Sequence, residues 1–347
     1  MPARDGRATL ATVAESAGVS VATVSKVVNG RADVSPTTRA LVESLLRKHE
    51  YVGRRPVAPV RGPATARIEL MFEGDFNAYS IEVLSGVLDA AAAAGAAVAV
   101  SNRPRAPHEP DRSGAWARDL AAAGREAVIA VVNDLTAADL RALDRAHLPL
   151  VVVDPLDLPR ARVTSVGSTN FAGGMAATQH LLALGHRRIA YVGGPATAAC
   201  NQARLHGYRA AMEAAGAAVP DGYVRSGAFR YRDGMVGGAA LLDLPHPPTA
   251  VFAGSDETAA GVIESARARG LRIPEGLSVV GFDDTEVARF ASPPLTTVRQ
   301  PLREMGAVAL RTALQLAAGE KLDSHHVELA TELIVRRSTT VPPVPRR

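Results

Sequence analysis

Carboxylates, a serine and an arginine recur in this sequence at one kind of place, just after a short apolar run rich in β-branched residues. Asp154 follows LPLVVV, Ser255 and Asp256 follow TAVFAG, and Asp283 and Asp284 follow LSVVGF; the run RRIAYVGGP leads to Arg204 in NQARLHGY. A carboxylate accepts two hydroxyl hydrogens and a guanidinium donates a planar fork, so this set carries the donors and acceptors a polyol needs. Phe76, Tyr79, Phe171 and Phe229 offer aromatic faces for a sugar ring, although for any one of them ordinary core packing is the stronger expectation.

Other chemistries fit these residues less well. Asp283 and Asp284 resemble a paired-carboxylate acid/base site, yet adjacent residues just after a strand point apart, and no nucleophile recurs nearby. Asp284 reads better as a helix cap or a group at a hinge. Gly193, Gly194 and Pro195 follow a strand as a phosphate loop would, but neither GxGxxG nor GxxxxGK[ST] accompanies them. His325 and His326 have no further His or Cys at metal-ligand spacing and read as a solvated loop pair. Cys200, the single cysteine, has no activating partner in sequence. No catalytic group, metal or cofactor is expected.

A second chemistry lies near the start. In ATLATVAESAGVSVATVSKVVNGRADVSPTTRALVESLLRKHE, Leu10, Val13, Ala14 and Ala17 form one helical stripe, with Thr9 as cap and Gly18 as terminator. Ser20 caps a second helix that buries Val24, Val27 and Val28 and leaves Val21, Ala22, Ser25, Lys26 and Asn29 on its open side. Ser35 and Pro36 start a third, with Leu41, Val42, Leu45 and Leu46 as its core stripe. Two short helices around a tight turn make a helix-turn-helix, whose second helix fits a DNA major groove. The hydroxyl, amide and ammonium groups on its open face suit phosphates and base edges.

Charge supports that placement. Residues 1–62 hold ten basic side chains against five acidic ones, a net +5 in a chain whose total is +4, so the rest is close to neutral at −1. A basic head on a neutral body is the footprint of a polyanion-binding protein. Residues 1–8 read as a basic arm adding phosphate contacts or as a plain flexible terminus.

The elements that must position these residues follow from periodicity. Gly53–Ala66, GRRPVAPVRGPATA, has no helical period and reads as a linker. Beyond it, the strand candidates RIELMF, AAVAVS, EAVIAVV and LPLVVVD alternate with helices over 81–94, 115–123 and 137–146. The theme repeats, with RVTSVG, RRIAYVG, TAVFAG and LSVVGF between helices over 171–184, 202–215, 233–242 and 256–268. Such alternation implies parallel strands with crossover helices, hence an α/β fold of two doubly wound sheets. Ligands of such sheets bind beyond the carboxyl ends of the strands, here between two lobes.

At 347 residues and 47% hydrophobic content the chain can build two or three domains, and 4% aromatics implies aliphatic packing. A lone cysteine precludes an intramolecular disulfide and suits a reducing compartment. The start MPARDGRATLATV lacks a signal-peptide core and no apolar run approaches a membrane span, so a cytoplasmic protein is expected.

The segment GVSVATVSKVVNGRADVSPTTRALVESLLRKHEYV resembles the headpiece of the LacI/GalR family of bacterial transcription repressors, and LLALGHRRIAYVGGP, PTAVFAGSDETAAG, LSVVGFDDTE and SPPLTTVRQPL continue the resemblance in the family's order. It implies a headpiece over 1–52, a hinge over 53–66 and, over 67–347, a periplasmic-binding-protein-like core for effector binding and dimerisation. Lobe 1 is expected over about 67–161 and 297–326, and lobe 2 over about 162–296 and 327–347. The resemblance puts Val21, Ala22 and Lys26 at base-reading positions and Thr9, Ser20, Thr23, Ser25, Asn29, Ser35 and Thr38 at backbone contacts. Arg204 and Asp283 match the principal effector-binding arginine and aspartate, with Asp154, Ser255 and Gln300 at other pocket positions. Ser255 stands where some relatives carry Asn.

Family members usually form a hinge helix that wedges an apolar side chain into the minor groove, and Val60 stands at that position. Pro56 and Pro59 leave room for only a very short helix, which shifts weight to Arg54, Arg55 and Arg61 as phosphate or narrow-groove contacts. The expectation is a homodimeric repressor on pseudo-palindromic double-stranded operator DNA, controlled allosterically by a mono- or oligosaccharide. A purine or other metabolite corepressor is the alternative. A transport-associated sugar-binding protein would need a signal peptide and no basic head.

Overall fold

Polar caps and small apolar side chains shape the amino-terminal helices. In this computed structural model, which describes residues 10–28, 34–48, 65–74, 76–103, 110–131, 135–155 and 163–343, α1 spans Leu10–Ala17, α2 Val21–Val28 and α3 Pro36–Lys48. Gly18, at φ 63°, supplies the left-handed turn after α1. Ser20 Oγ accepts from Thr23 N at 3.1 Å, and Ser35 Oγ from Thr38 N at 3.2 Å, so each hydroxyl satisfies an otherwise orphaned amide of its helix. Val13, Ala14, Val24, Val27 and Val42 form the core, with Ala17, Leu45 and Leu46 against it. Leu41 departs from the expected stripe. It is 49% exposed, because the packed arc of α3 runs through positions 42, 45 and 46 and position 41 lies just outside its edge, about 40° beyond position 45. Thr9, Asn29, Arg54, Arg55, Val60 and Arg61 and the arm over 1–8 lie outside the described residues, as do the side chains of Leu10, Ser25 and Val28.

The chain from Thr65 onward is a second unit. Its first elements are β1 (Arg67–Glu73), α4 (Ala78–Ala94), β2 (Ala97–Arg103), α5 (Pro110–Ala122), β3 (Ala127–Val131), α6 (Ala137–Arg145), β4 (Leu150–Val153) and β5 (Thr164–Ser168). There follow α7 (Asn170–Ala183), β6 (Ile189–Val192), α8 (Ala199–Ala214), β7 (Val224–Arg225), α9 (Tyr231–Leu242), β8 (Ala250–Ala253), α10 (Asp256–Arg267), β9 (Ser278–Asp283), α11 (Glu286–Phe290) and β10 (Thr296–Arg299). The last three are α12 (Leu302–Ala317), β11 (His326–Leu329) and β12 (Glu332–Ile334).

Two six-stranded sheets result, ordered β11-β5-β4-β3-β1-β2 and β12-β10-β9-β8-β6-β7. Every pairing is parallel except that of β12 with β10. Strand alternation decides which helix each side chain meets. In the second sheet Ala190, Val192, Val251 and Val279 pack towards α10, while Ile189, Tyr191, Phe252, Val280 and Phe282 pack towards α7 and α8. In the first, Ile68, Leu70, Ile129 and Val151 pack on α4 and on α12, which returns to the first lobe as its sequence position suggested.

The lobe boundaries differ from those expected from sequence. β5, assigned to the second lobe, pairs with β4 and β11 in the first; β10, assigned to the first, pairs with β9 and β12 in the second. The run over 327–335 is split, with β11 in the first sheet and β12 in the second. Hydrophobic period marks a strand but not the sheet edge that accepts it. The chain therefore changes lobe just after β5, β10 and β11, at Thr169, at Gln300–Pro301 and at Ala330–Thr331.

Candidate functional site

A cleft of about 780 Å³, counting its solvent-open part, lies beyond the carboxyl ends of the strands of both sheets. The first lobe contributes Phe72 and Glu73 from the end of β1, Asn77 to Ser80 from the start of α4, Val131 and Asp154. The second contributes Cys200 and Arg204 from α8, Ala228 to Arg230, Ser255, Glu257, Asp283 and Thr285. Backbone strain collects here: Asp154, Phe229, Asp283 and Asp284 all have positive φ, at 47°, 63°, 112° and 57°.

Arg204 sits at the floor of the second lobe, 3% exposed. Its guanidinium carbon lies 3.8 Å over the Phe282 ring and 5.3 Å from Phe229. Nε donates to Asn170 Oδ1 at 2.7 Å, Nη1 donates to the Gly254 carbonyl, and Nη1 stands 3.7 Å from Asp283 Oδ1. Helix α8 reaches this position because Gly174 and Gly207 let it press against α7: a Cβ on Gly174 would meet Arg204 O at 2.3 Å.

Asp283 is 7% exposed, and Gln300 Nε2 donates to its Oδ1 at 2.7 Å. Burial pushes its carboxyl well above the usual range against the opposing pull of Arg204. On the first lobe, Asp154 Oδ2 accepts from Tyr79 Oη at 2.7 Å. Burial raises Asp154 as well, against the lowering effects of Arg204 and of Tyr79's hydrogen bond. Asp154 and Asp283 thus face one space from opposite lobes, with Arg204 between them in charge.

The other expected residues divide. Phe229 lines the cleft with its ring wedged between Gly194 and Gly254, where added Cβ atoms would come within 2.1 and 2.9 Å of it. Tyr79 lines it too, but its hydroxyl is committed to Asp154. Ser255 caps α10, accepting from Thr258 N at 3.1 Å, and donates to Phe229 O at 3.0 Å, which occupies the hydroxyl expected to meet a ligand. Gln300 is not on the cleft wall; it is buried behind Asp283 because it starts the crossover into α12. Phe76 is 44% exposed and packs on Phe72 at 4.8 Å, leaving Phe72, which reads from sequence as plain strand core, as the ring on the wall. Phe171 lies exposed on α7 outside the cleft wall.

Asp284 accepts from Arg299 Nε at 2.7 Å and from Arg336, tying the ends of β9, β10 and β12 together; it is a hinge-side group and caps no helix. Asp256, buried at the start of α10, accepts from Thr285 N, Thr285 Oγ1 and Thr297 Oγ1, and burial raises it to about 7. The Cys200 thiol is pushed up to about 11 by burial and stays protonated. His325 and His326 are both exposed, as a solvated pair is expected to be, and bond to Thr164 and Ser165; His325 lies outside the strand, whereas His326 opens β11. No cluster able to hold a metal ion occurs among the described residues.

In the headpiece, Val21, Ala22 and Lys26 are exposed on α2, while Ser20 with Thr23 and Ser35 with Thr38 form hydroxyl pairs at two helix starts, at 2.9 and 2.8 Å. Amides and hydroxyls gathered at a helix amino terminus suit a phosphate.

Comparison with known proteins decides the family. Residues 9–53 match the bacterial regulatory proteins of the lacI family, and residues 178–339 match a periplasmic binding protein-like domain. The HTH-type transcriptional regulator CelR of Thermobifida fusca is 34% identical over 345 residues, covering 96% of this chain and 99% of the relative. The chain belongs to the LacI family. Catabolite control protein A of Priestia megaterium is 32% identical across 95% of this LacI-family chain and 99% of its own, and the repressor PurR of Klebsiella pneumoniae 30% across 95% and 96%. The structure of the CelR–cellobiose complex matches with a TM-score of 0.72 at 34% identity, over 96% of this chain and 100% of that one. That of a lac repressor dimer bound to operator matches at 0.70 and 27%, over 96% and 100%. This LacI-family protein is accordingly a DNA-binding transcriptional regulator with a helix-turn-helix headpiece and a periplasmic-binding-protein-like core. No described helix is long and apolar enough to cross a membrane.

Proposed function

We propose that the protein is a homodimeric repressor, acting in the cytoplasm, whose paired headpieces read half-sites of a pseudo-palindromic operator and whose DNA affinity is set by a mono- or oligosaccharide held in the cleft. The carrying observation is the opposition of Asp154 and Asp283 across the cleft with Arg204 at its floor. Carboxylates accept from hydroxyls, the arginine fork donates, and the Phe72 and Phe229 rings supply apolar surfaces on which the C–H face of a pyranose can stack. The relative solved with cellobiose and the relative solved on operator support the two halves of this reading.

The adjacent carboxylate Asp284 is paired to two arginines and the cleft thiol stays protonated, so neither is poised as a base or a nucleophile. An effector that prefers one lobe arrangement shifts that population, and DNA that prefers one spacing of the headpieces shifts it too, so the two ligands couple reciprocally. Electrophoretic shift of the protein's own promoter DNA, with cellobiose, other plant-derived sugars and purine bases in separate lanes, tests this. A sugar that changes operator affinity supports the reading; a response to purines alone replaces the carbohydrate, and failure to bind any duplex at low salt overturns the whole.

A further inference from the structure

Arg204 and Asp283 belong to a closed ring of buried polar contacts that leaves the cleft and returns to it. Arg204 Nε donates to Asn170 Oδ1 at 2.7 Å, and Asn170 Nδ2 donates to the Ser168 carbonyl at 3.1 Å. Ser168 Oγ donates to Gln300 Oε1, and Gln300 Nε2 donates to Asp283 Oδ1 at 2.7 Å. Asp283 Oδ1 lies 3.7 Å from Arg204 Nη1, which closes the ring.

The middle members stand at lobe crossings. Ser168 ends β5 in the first lobe, Asn170 begins α7 in the second, and Gln300 follows β10 as the chain passes back to α12. None of the three lines the cleft, and each is buried, with Ser168 1%, Gln300 3% and Asn170 9% exposed. The third crossing is fastened to the first: Thr331 N donates to Thr169 Oγ1 at 3.0 Å and Thr169 N to Leu329 O at 2.9 Å.

We propose that Ser168, Asn170 and Gln300 are positioning residues that join the Arg204–Asp283 pair to all three crossings, so that whatever engages that pair sets the geometry of the hinge. Buried polar groups need partners, but those partners can come from the same element. Here the Asn170–Ser168 and Ser168–Gln300 bonds join β5 of the first lobe to residues at the crossings, while the rest tie those residues to the pair. A ligand hydroxyl that draws on Asp283 must carry the Gln300 amide with it or break a bond to a buried carboxylate, and Ser168 follows Gln300. This rests on the cleft being the effector site.

The test is amide hydrogen exchange on the full-length chain at Thr169 and Thr331, neither of which belongs to the ring. Arg204→Met is expected to speed exchange there at least tenfold when Asn170 and Gln300 are intact. In an Asn170→Leu/Gln300→Met background the same change should add less than twofold, because the connection is already cut. Wild-type exchange in Arg204→Met, or an equal factor in both backgrounds, overturns the proposal and leaves the ring as packing. Should Arg204→Met not fold, Asn170→Asp, which keeps the acceptor for Arg204 and loses the donor to Ser168, carries the same comparison against the wild type. Calorimetry of the wild type with cellobiose reports separately on the carbohydrate reading, and its failure does not touch the exchange result.

Discussion

Tyr79 holds Asp154 within a single wall of the cleft, its Oη donating to Oδ2 at 2.7 Å. A hydrogen bond to a buried carboxylate contributes about 1.5–3 kcal/mol, so losing it costs the aspartate both orientation and a satisfied lone pair. Tyr79→Phe is therefore expected to weaken binding of the effector sugar by about tenfold to a hundredfold. Calorimetry on the two proteins measures this. Equal affinity would show that Asp154 is not a ligand contact.

The Phe229 ring occupies a slot that two glycines leave open, and a Cβ on Gly194 would fall 2.1 Å from a ring carbon. Gly194→Ala must push the ring out from above Arg204, an overpacking cost of about 1–3 kcal/mol. The expected result is a lower melting temperature and weaker sugar binding. Phe229→Ala added to Gly194→Ala should restore most of the lost stability, since it empties the slot; additive losses in the double variant would place the strain elsewhere.

Asp256 carries a proton more readily in the folded protein, about 7 against an ordinary 3.8, because burial outweighs its three hydrogen bonds. A raised carboxyl contributes stability that is full below its unfolded value and is lost as pH rises through its folded one. The stability of the wild type relative to Asp256→Asn should accordingly fall between pH 5 and 8, by on the order of 2 kcal/mol. Thermal melts at both pH values decide it, and parallel curves for the two proteins would show that Asp256 titrates as an ordinary carboxyl.

His186 has the opposite slope. It is fully buried, bonded to Thr249 Oγ1 at 2.8 Å, Ser278 Oγ at 3.1 Å and Thr340 O at 2.8 Å, and burial lowers its pKa. A lowered histidine contributes stability that is present above about 6.5 and is lost as pH falls through its folded value. His186→Ala leaves those partners without their bonds, a loss of roughly 2–4 kcal/mol at pH 7.5. The gap between variant and wild type should narrow at pH 5.5. A constant gap in chemical denaturation would mean that the histidine titrates alike in the folded and unfolded states.

What the chain discloses before folding depends on how local each cause is. Arg204, Asp283 and Asp154 are legible because side chains that follow parallel strands necessarily reach the carboxyl edge of a sheet. Phe72 is hidden inside RIELMF, where alternation marks it as core, and only the end of β1 turns it to the cleft. Asn170 lies just ahead of the helix expected over 171–184, and its partner Arg204 is 34 residues away. Apolar period marks β5 as a strand but carries no information on its partner β11, 161 residues distant, and β5 and β10 lie in the lobes opposite to those expected. The headpiece is more readable, since its caps and stripes act within one turn; Leu41 departs because the packed arc of α3 is narrower than its apolar one.

Lys26 tests the DNA half of the account. It lies exposed in the last turn of α2, beside exposed Ala22 one turn earlier, on the face opposite Val24 and Val27. A lysine reaching a guanine edge discriminates by about 1–3 kcal/mol, whereas one reaching a phosphate weakens all sequences alike and lowers the salt slope by about one. Lys26→Ala should therefore reduce affinity for the natural operator by about fivefold to a hundredfold while leaving non-specific binding nearly constant. Fluorescence anisotropy across a salt series, on the operator and on a scrambled duplex, separates the two roles. Equal losses on both duplexes would make Lys26 a backbone contact, and no loss on either would remove this face of α2 from the groove.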